Sequence, residues 1–226
     1  MSDVQTCWDL LRGAAEGRAL ERERFCLTYG PVIRDFLGRR WGRGAYAQEI
    51  EDAEQETLIE CLRERGALER AIGTVEKSFR ALLFGVTRNV ARRFEERRAK
   101  IARREAPAKT GHEGEPDPSA DPQRDFDRAW ATNVVRRARE DLEARAEGAG
   151  GAAARRCDVL RMRFFEDLPI RAIADRLEED PARIHHDYAK ARSEFREALL
   201  RIVRFESAVE DFDPEAEIRF LMTSLT

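Results

Sequence analysis

The chain has 226 residues, 38% of them charged, and a formal net charge of -3. That length admits one large or two small domains with cores of their own, and the near-neutral balance confines any nucleic-acid surface to a local patch. Cys7, Cys26, Cys61 and Cys157 are too scattered for a zinc site or a disulfide framework, no apolar run reaches membrane-spanning length, and the N-terminal MSDVQTCWDLL has no apolar signal core, so reduced thiols and a cytoplasmic location without membrane attachment are expected.

Strand-type alternation is scarce and helical spacing recurs along the chain, which predicts an all-α protein. Phe25, Tyr29, Val32, Ile33, Phe36 and Leu37 outline a first helix, and Ile50, Leu58, Cys61 and Leu62 a second. GALERAIGTVEKS, with Gly66 and Gly73, reads as a loop. Phe79, Leu82, Leu83, Val86, Val90 and Phe94 then hold helical spacing for more than four turns. The same helix is basic: from Arg88 to Glu105 eight bases stand against three acids, a local net of +5 and the mark of a phosphate-tracking surface.

Residues 106–125 hold Pro107, Pro116, Pro118 and Pro122, two glycines and a net charge of -3, with almost nothing apolar. Such a stretch cannot build a core and predicts a flexible acidic linker. It divides the chain into a first domain over 1–105 and a second over 126–203, two small helical bundles, with a C-terminal tail over 204–226.

In the second domain FDRAWATNVVRRAREDLEARAEG predicts a helix, followed by a flexible GAGGAAA and a further helix from about Arg155 to Phe165. Ile170, Ile173, Ala174 and Leu177 form one stripe; Asp180 stands at an N-cap and Pro181 at the first helical position; Ile184, Tyr188, Ala191, Phe195 and Leu199 form the next stripe. Two helices joined this tightly predict a helix-turn-helix, with Arg183, His185, His186, Lys190 and Arg192 on the faces of the second helix that can enter a major groove. In the tail, Asp213, Pro214 and the stripe Ile218, Leu221, Met222 and Leu225 predict a short helix packed back on the second domain.

EIEDAEQETLIECLR, SFRALLFGVTRNVARRF and FFEDLPIRAIADRLEEDPARIHHDYAKARSEFREAL occur in this order around the linker. Together they resemble bacterial sigma-70-type initiation factors of the small, two-domain extracytoplasmic-function group, over most of residues 20–203. The resemblance implies a factor that binds core RNA polymerase, directs it to a promoter set and helps melt DNA, with no covalent chemistry and no cofactor of its own. It implies polymerase contacts by Asp52, Gln55 and Glu56. It implies minus-10 contacts, to bases of the melted single strand, by Arg80, Arg88, Asn89 and Arg92, beside a base-capturing loop around Ile72–Ser78. To the second domain it assigns minus-35 duplex reading by Arg183, His185, His186, Lys190 and Arg192.

The chain departs from the family's pattern at Leu82, where tryptophan is usual, at Gly85, where arginine is usual, and at Arg93, where aspartate is usual. Glu178 stands where the turn commonly has glycine, and Asp187 occupies a recognition-helix position that is usually basic, which predicts repulsion from DNA phosphate. Of three histidines, one lies in the linker and two are adjacent on a helix, so no catalytic constellation is expected. A helix-turn-helix regulator acting without polymerase, or a degenerate sigma-like interaction module, stands as the alternative, and the sequence leaves open whether an anti-sigma protein is a partner.

Overall fold

The computed structural model describes residues 7–42, 46–72, 79–105, 121–207 and 212–226. Among them the chain is all-α and contains no strand: α1 Cys7–Ala15, α2 Ala19–Trp41, a single 3-10 turn Ala47–Glu49, α3 Ile50–Leu62, α4 Ala67–Ala71, α5 Phe79–Glu105, α6 Pro122–Ala149, α7 Gly151–Phe164, α8 Ile170–Leu177, α9 Pro181–Glu206 and α10 Pro214–Leu225. No helix among the described residues is long and apolar enough to cross a membrane.

The chain folds as two compact units. The first takes Met1–Asn133, Phe205–Asp213 and Arg219–Thr226; the second takes Val134–Arg204 and Pro214–Ile218. The division falls inside α6 rather than at the expected boundary of 125 and 126. Residues 122–125, assigned from composition to the linker, are helical, because Asp121 Oδ1 accepts the Gln123 N–H and Pro122 suits the first helical position. Residues 106–120 of the expected linker lie outside the described residues.

In the first unit every member of the expected α2 stripe is fully buried. Around it stands an aromatic core: Tyr29 and Phe79 lie 4.7 Å apart by ring centroids, Phe84 and Phe126 5.3 Å, Phe36 and Phe126 5.6 Å, and Tyr29 and Trp130 5.9 Å. Each fully buried large apolar side chain is worth roughly 1.5–3 kcal/mol, so Phe126 and Trp130 commit the first half of α6 to this unit. At the far end of α2, Glu95 of α5 accepts from Arg40 Nε at 2.6 Å and from Trp41 Nε1 at 2.9 Å, tying the two helices.

GALERA, expected as loop, is the short helix α4 preceded by a tight approach. A Cβ on Gly66 would lie 2.5 Å from the Arg63 carbonyl oxygen, so only glycine fits, and Leu68 then drops into the core.

The second unit is built on Val159, Met162, Ile173, Ala174 and Ile184, with Leu168, Ile170, Leu177 and Tyr188 packed at the margin. The expected flexible GAGGAAA is instead a one-residue break between α6 and α7. Gly150 alone leaves the helix, at φ 93°, a conformation glycine adopts without the steric cost of a Cβ. α8 and α9 form the expected helix-turn-helix. Glu178 closes α8 in the left-handed region at φ 52°, and Asp180 Oδ1 accepts the Ala182 N–H at 2.6 Å to open α9. The α10 helix starts at Pro214 as expected, but its one fully buried residue, Leu221, belongs to the first unit and not the second.

Candidate nucleic-acid and polymerase interfaces

On α3, Asp52 and Gln55 are exposed and fall on one face, together with Ile59, which is 54% exposed. Glu56, four residues after Asp52, borders that face but is already engaged: its carboxylate takes Arg93 at 3.0 Å and Arg97 at 3.6 Å, both on α5, so it also ties α3 to α5. Ile59 was not identified from sequence, although its position seven residues after Asp52 was the signal.

The α5 helix is less uncompensated than its own sequence implies. Glu56 and Glu60 of α3 pair with Arg93, and Glu49 pairs with Arg98. These acids come from α3 and the 3-10 turn before it, which a count along one helix cannot include. They also account for Arg93 in place of aspartate: an acid there would face Glu56 and Glu60. Gly85 has open space where a side chain would begin, so the missing arginine leaves bare backbone on the outer face.

The four expected minus-10 residues do not converge. Asn89 and Arg92, three residues apart, line one cleft of about 390 Å³. Arg63 and Arg70 join them from the α3–α4 region, with Arg93, Val86 and Val90 from α5 and with Glu60 and Glu96 as the acids. The Arg92 Nε–H donates to Glu96 at 2.7 Å, a hydrogen bond that pushes the guanidinium pKa up and keeps it charged. Arg88 is exposed beside the cleft, its guanidinium 5.3 Å from the Phe84 ring centroid. Arg80 lies nine residues before Asn89 and therefore on the opposite side of the helix. There it is half-buried, 3.7 Å from the Asp127 carboxylate and 4.6 Å from the Phe220 ring centroid, which makes it a tie holding α6 and α10 on α5. Arg70 was missed from sequence because GALERA was read as loop, and Arg63 because it stands just past the end of the α3 stripe. Of the expected base-capturing loop around Ile72–Ser78, residues 73–78 lie outside the described residues.

On α9 the inward stripe is Ile184, Asp187 and Ala191, all buried. The remaining faces carry the expected set, and Arg183, His185, His186, Lys190 and Arg192 are all exposed. Arg183 donates to Glu179 at 3.2 Å, and Arg192 stacks 5.7 Å from the Tyr188 centroid. The expectation for Asp187 is overturned. It is 6% exposed and accepts from Arg155 Nε at 2.9 Å, so it looks into the unit and opposes no phosphate. The spacing carried that signal, since Asp187 lies three residues after Ile184 and four before Ala191; its partner, 32 residues away on α7, was invisible.

No protein-family model matches this chain, and no curated protein matches it at a significant level.

Proposed function

We propose that the chain is a cytoplasmic sigma factor that joins core RNA polymerase, reads duplex DNA with α9 and holds melted promoter DNA at α5. The observation that carries the reading is the cleft at Asn89 and Arg92, where four arginines face two glutamates. Guanidinium planes stack on bases and pair with phosphates, and an asparagine amide matches the two-point edge of a base, which is the equipment for gripping an unstacked single strand. The ordered sequence motifs supply the rest. Asp52 and Gln55 present acceptors to a basic partner helix, and Ile59 adds an apolar contact at their side. The α9 face offers Lys190 and Arg192 to phosphate and His185 and His186 to base edges.

The test is to add the purified chain to purified core polymerase with genomic DNA and to sequence the transcript starts. Starts that cluster at a shared upstream pattern are expected. A chain that leaves the start distribution of core alone unchanged, and does not co-purify with core, ends the proposal. Asp52→Lys with Gln55→Lys is expected to weaken co-purification while the helical signal stays intact.

A further inference from the structure

Beneath the outward face of α9 runs a chain of charges. Asp187 is buried and holds the Nε of Arg155. The Nη1 of the same arginine donates to Glu179 Oε1 at 3.3 Å, in the turn between α8 and α9. The other oxygen of Glu179 accepts from Arg183 Nη1 at 3.2 Å. Asp187 sits on the fixed inner side of α9, so Arg155 is held in place, and Arg155 in turn draws one oxygen of Glu179 inward. Arg183, 55% exposed by its side chain, is left with a single-oxygen contact from a carboxylate that could otherwise grip it with both.

We propose that Glu179 is an internal competitor for DNA phosphate at Arg183, and that Arg155 is the positioning residue that restrains it. The inference rests on the reading of α9 as a duplex-binding helix and adds a control within that surface. A phosphate that takes Arg183 must displace the Glu179 oxygen, and Arg155 gives the displaced carboxylate a partner to fall back on. The turn thus sets how much of the Arg183 charge reaches DNA, without Glu179 or Arg155 touching the duplex.

The experiment measures binding of the full chain to a fluorescein-labelled duplex of mixed sequence across a salt series. Each neutralised phosphate contributes about 0.9 to the slope of log affinity against log salt. Glu179→Gln is expected to steepen that slope by up to about 0.9, and to change nothing in an Arg183→Ala background. An equal effect in that background, or no effect at all, overturns the competitor role. Arg155→Met combined with Asp187→Asn, which avoids a stranded buried carboxylate, is expected to make the slope shallower, and adding Glu179→Gln should erase the difference. Arg155→Lys, which keeps the charge beside Asp187 but loses the second donor, should move the slope the same way in a chain with an undisturbed core. Unchanged slopes in both Arg155 variants overturn its positioning role. Duplex binding that responds to Lys190→Ala yet ignores Glu179 overturns the relay alone, whereas binding indifferent to both Lys190→Ala and Arg183→Ala, or absent throughout, overturns the α9 reading with it.

Discussion

Asp187 sits on the inner side of α9, 6% exposed, and accepts from Arg155 Nε of α7 at 2.9 Å. By type it is an acid among the basic residues of α9; by place it is the buried half of an ion pair with Arg155. Breaking such a pair leaves an uncompensated charge, at a cost of roughly 3–5 kcal/mol when both partners are fully buried. Arg155 keeps 27% of its side-chain exposure, so about 2 kcal/mol is the better expectation, with water screening the remainder. Asp187→Arg sets two guanidinium groups against each other and should lower the urea midpoint of the second unit by at least that equivalent. A midpoint equal to the parent's would return Asp187 to the surface. Cys61 is a second residue whose chemistry follows from its place. Burial, with Glu60 and Cys26 adding to it, pushes its thiol up to about 12 from an ordinary 9.0. The folded chain keeps this proton when the unfolded chain has lost it, so the associated stability is present below pH 9.0 and is lost as pH rises toward 12. At pH ~8 iodoacetamide should modify Cys61 only after denaturation, and rapid modification of the native chain would refute its burial.

At the scale of elements, the helices whose apolar spacing was long and regular were legible, and α2, α5 and the pair α8–α9 formed where the pattern placed them. The misses share a physical cause. α4 is five residues long and owes its helix to the seating of Leu68, which tertiary packing supplies and local propensity does not. The α6–α7 break needs one glycine, where a run of small residues suggested many. For α5 the apolar stripe was clear, but which of its arginines stay available depends on acids donated by α3. The helical phase separates two roles that basic charge alone merges. Asn89→Ala with Arg92→Ala should reduce promoter opening, read as permanganate reactivity of unpaired thymines, while core binding and thermal midpoint hold. Arg80→Ala should do the reverse, lowering stability by about 1 kcal/mol through loss of its ion pair and its ring contact. Equal opening defects from both sets would mean that the two sides of α5 act together on DNA.

At the scale of the whole molecule, composition drew a boundary at 125 and 126, and the compact units divide between Asn133 and Val134. An apolar stripe shows that a helix buries one face but not which core receives it, so α6 was assigned whole to the second domain. Its first half carries Phe126 and Trp130 into the aromatic core of the first unit, and Asn133 reinforces this by donating to the Thr28 carbonyl at 3.1 Å. The C-terminal part contributes as well, since Glu206 accepts from the hydroxyl of fully buried Tyr29 at 2.9 Å. A unit assembled from distant stretches should loosen when any one is weakened. Truncating a buried aromatic to alanine costs about 3–5 kcal/mol through lost transfer energy and the cavity left behind. Phe126→Ala or Trp130→Ala should therefore raise amide hydrogen exchange in α2 and α5, far along the sequence from the substitution, while α7 to α9 keep their protection. The opposite pattern, with α7 to α9 loosened and α2 unchanged, would return the first half of α6 to the second domain and restore the boundary that composition placed at 125 and 126.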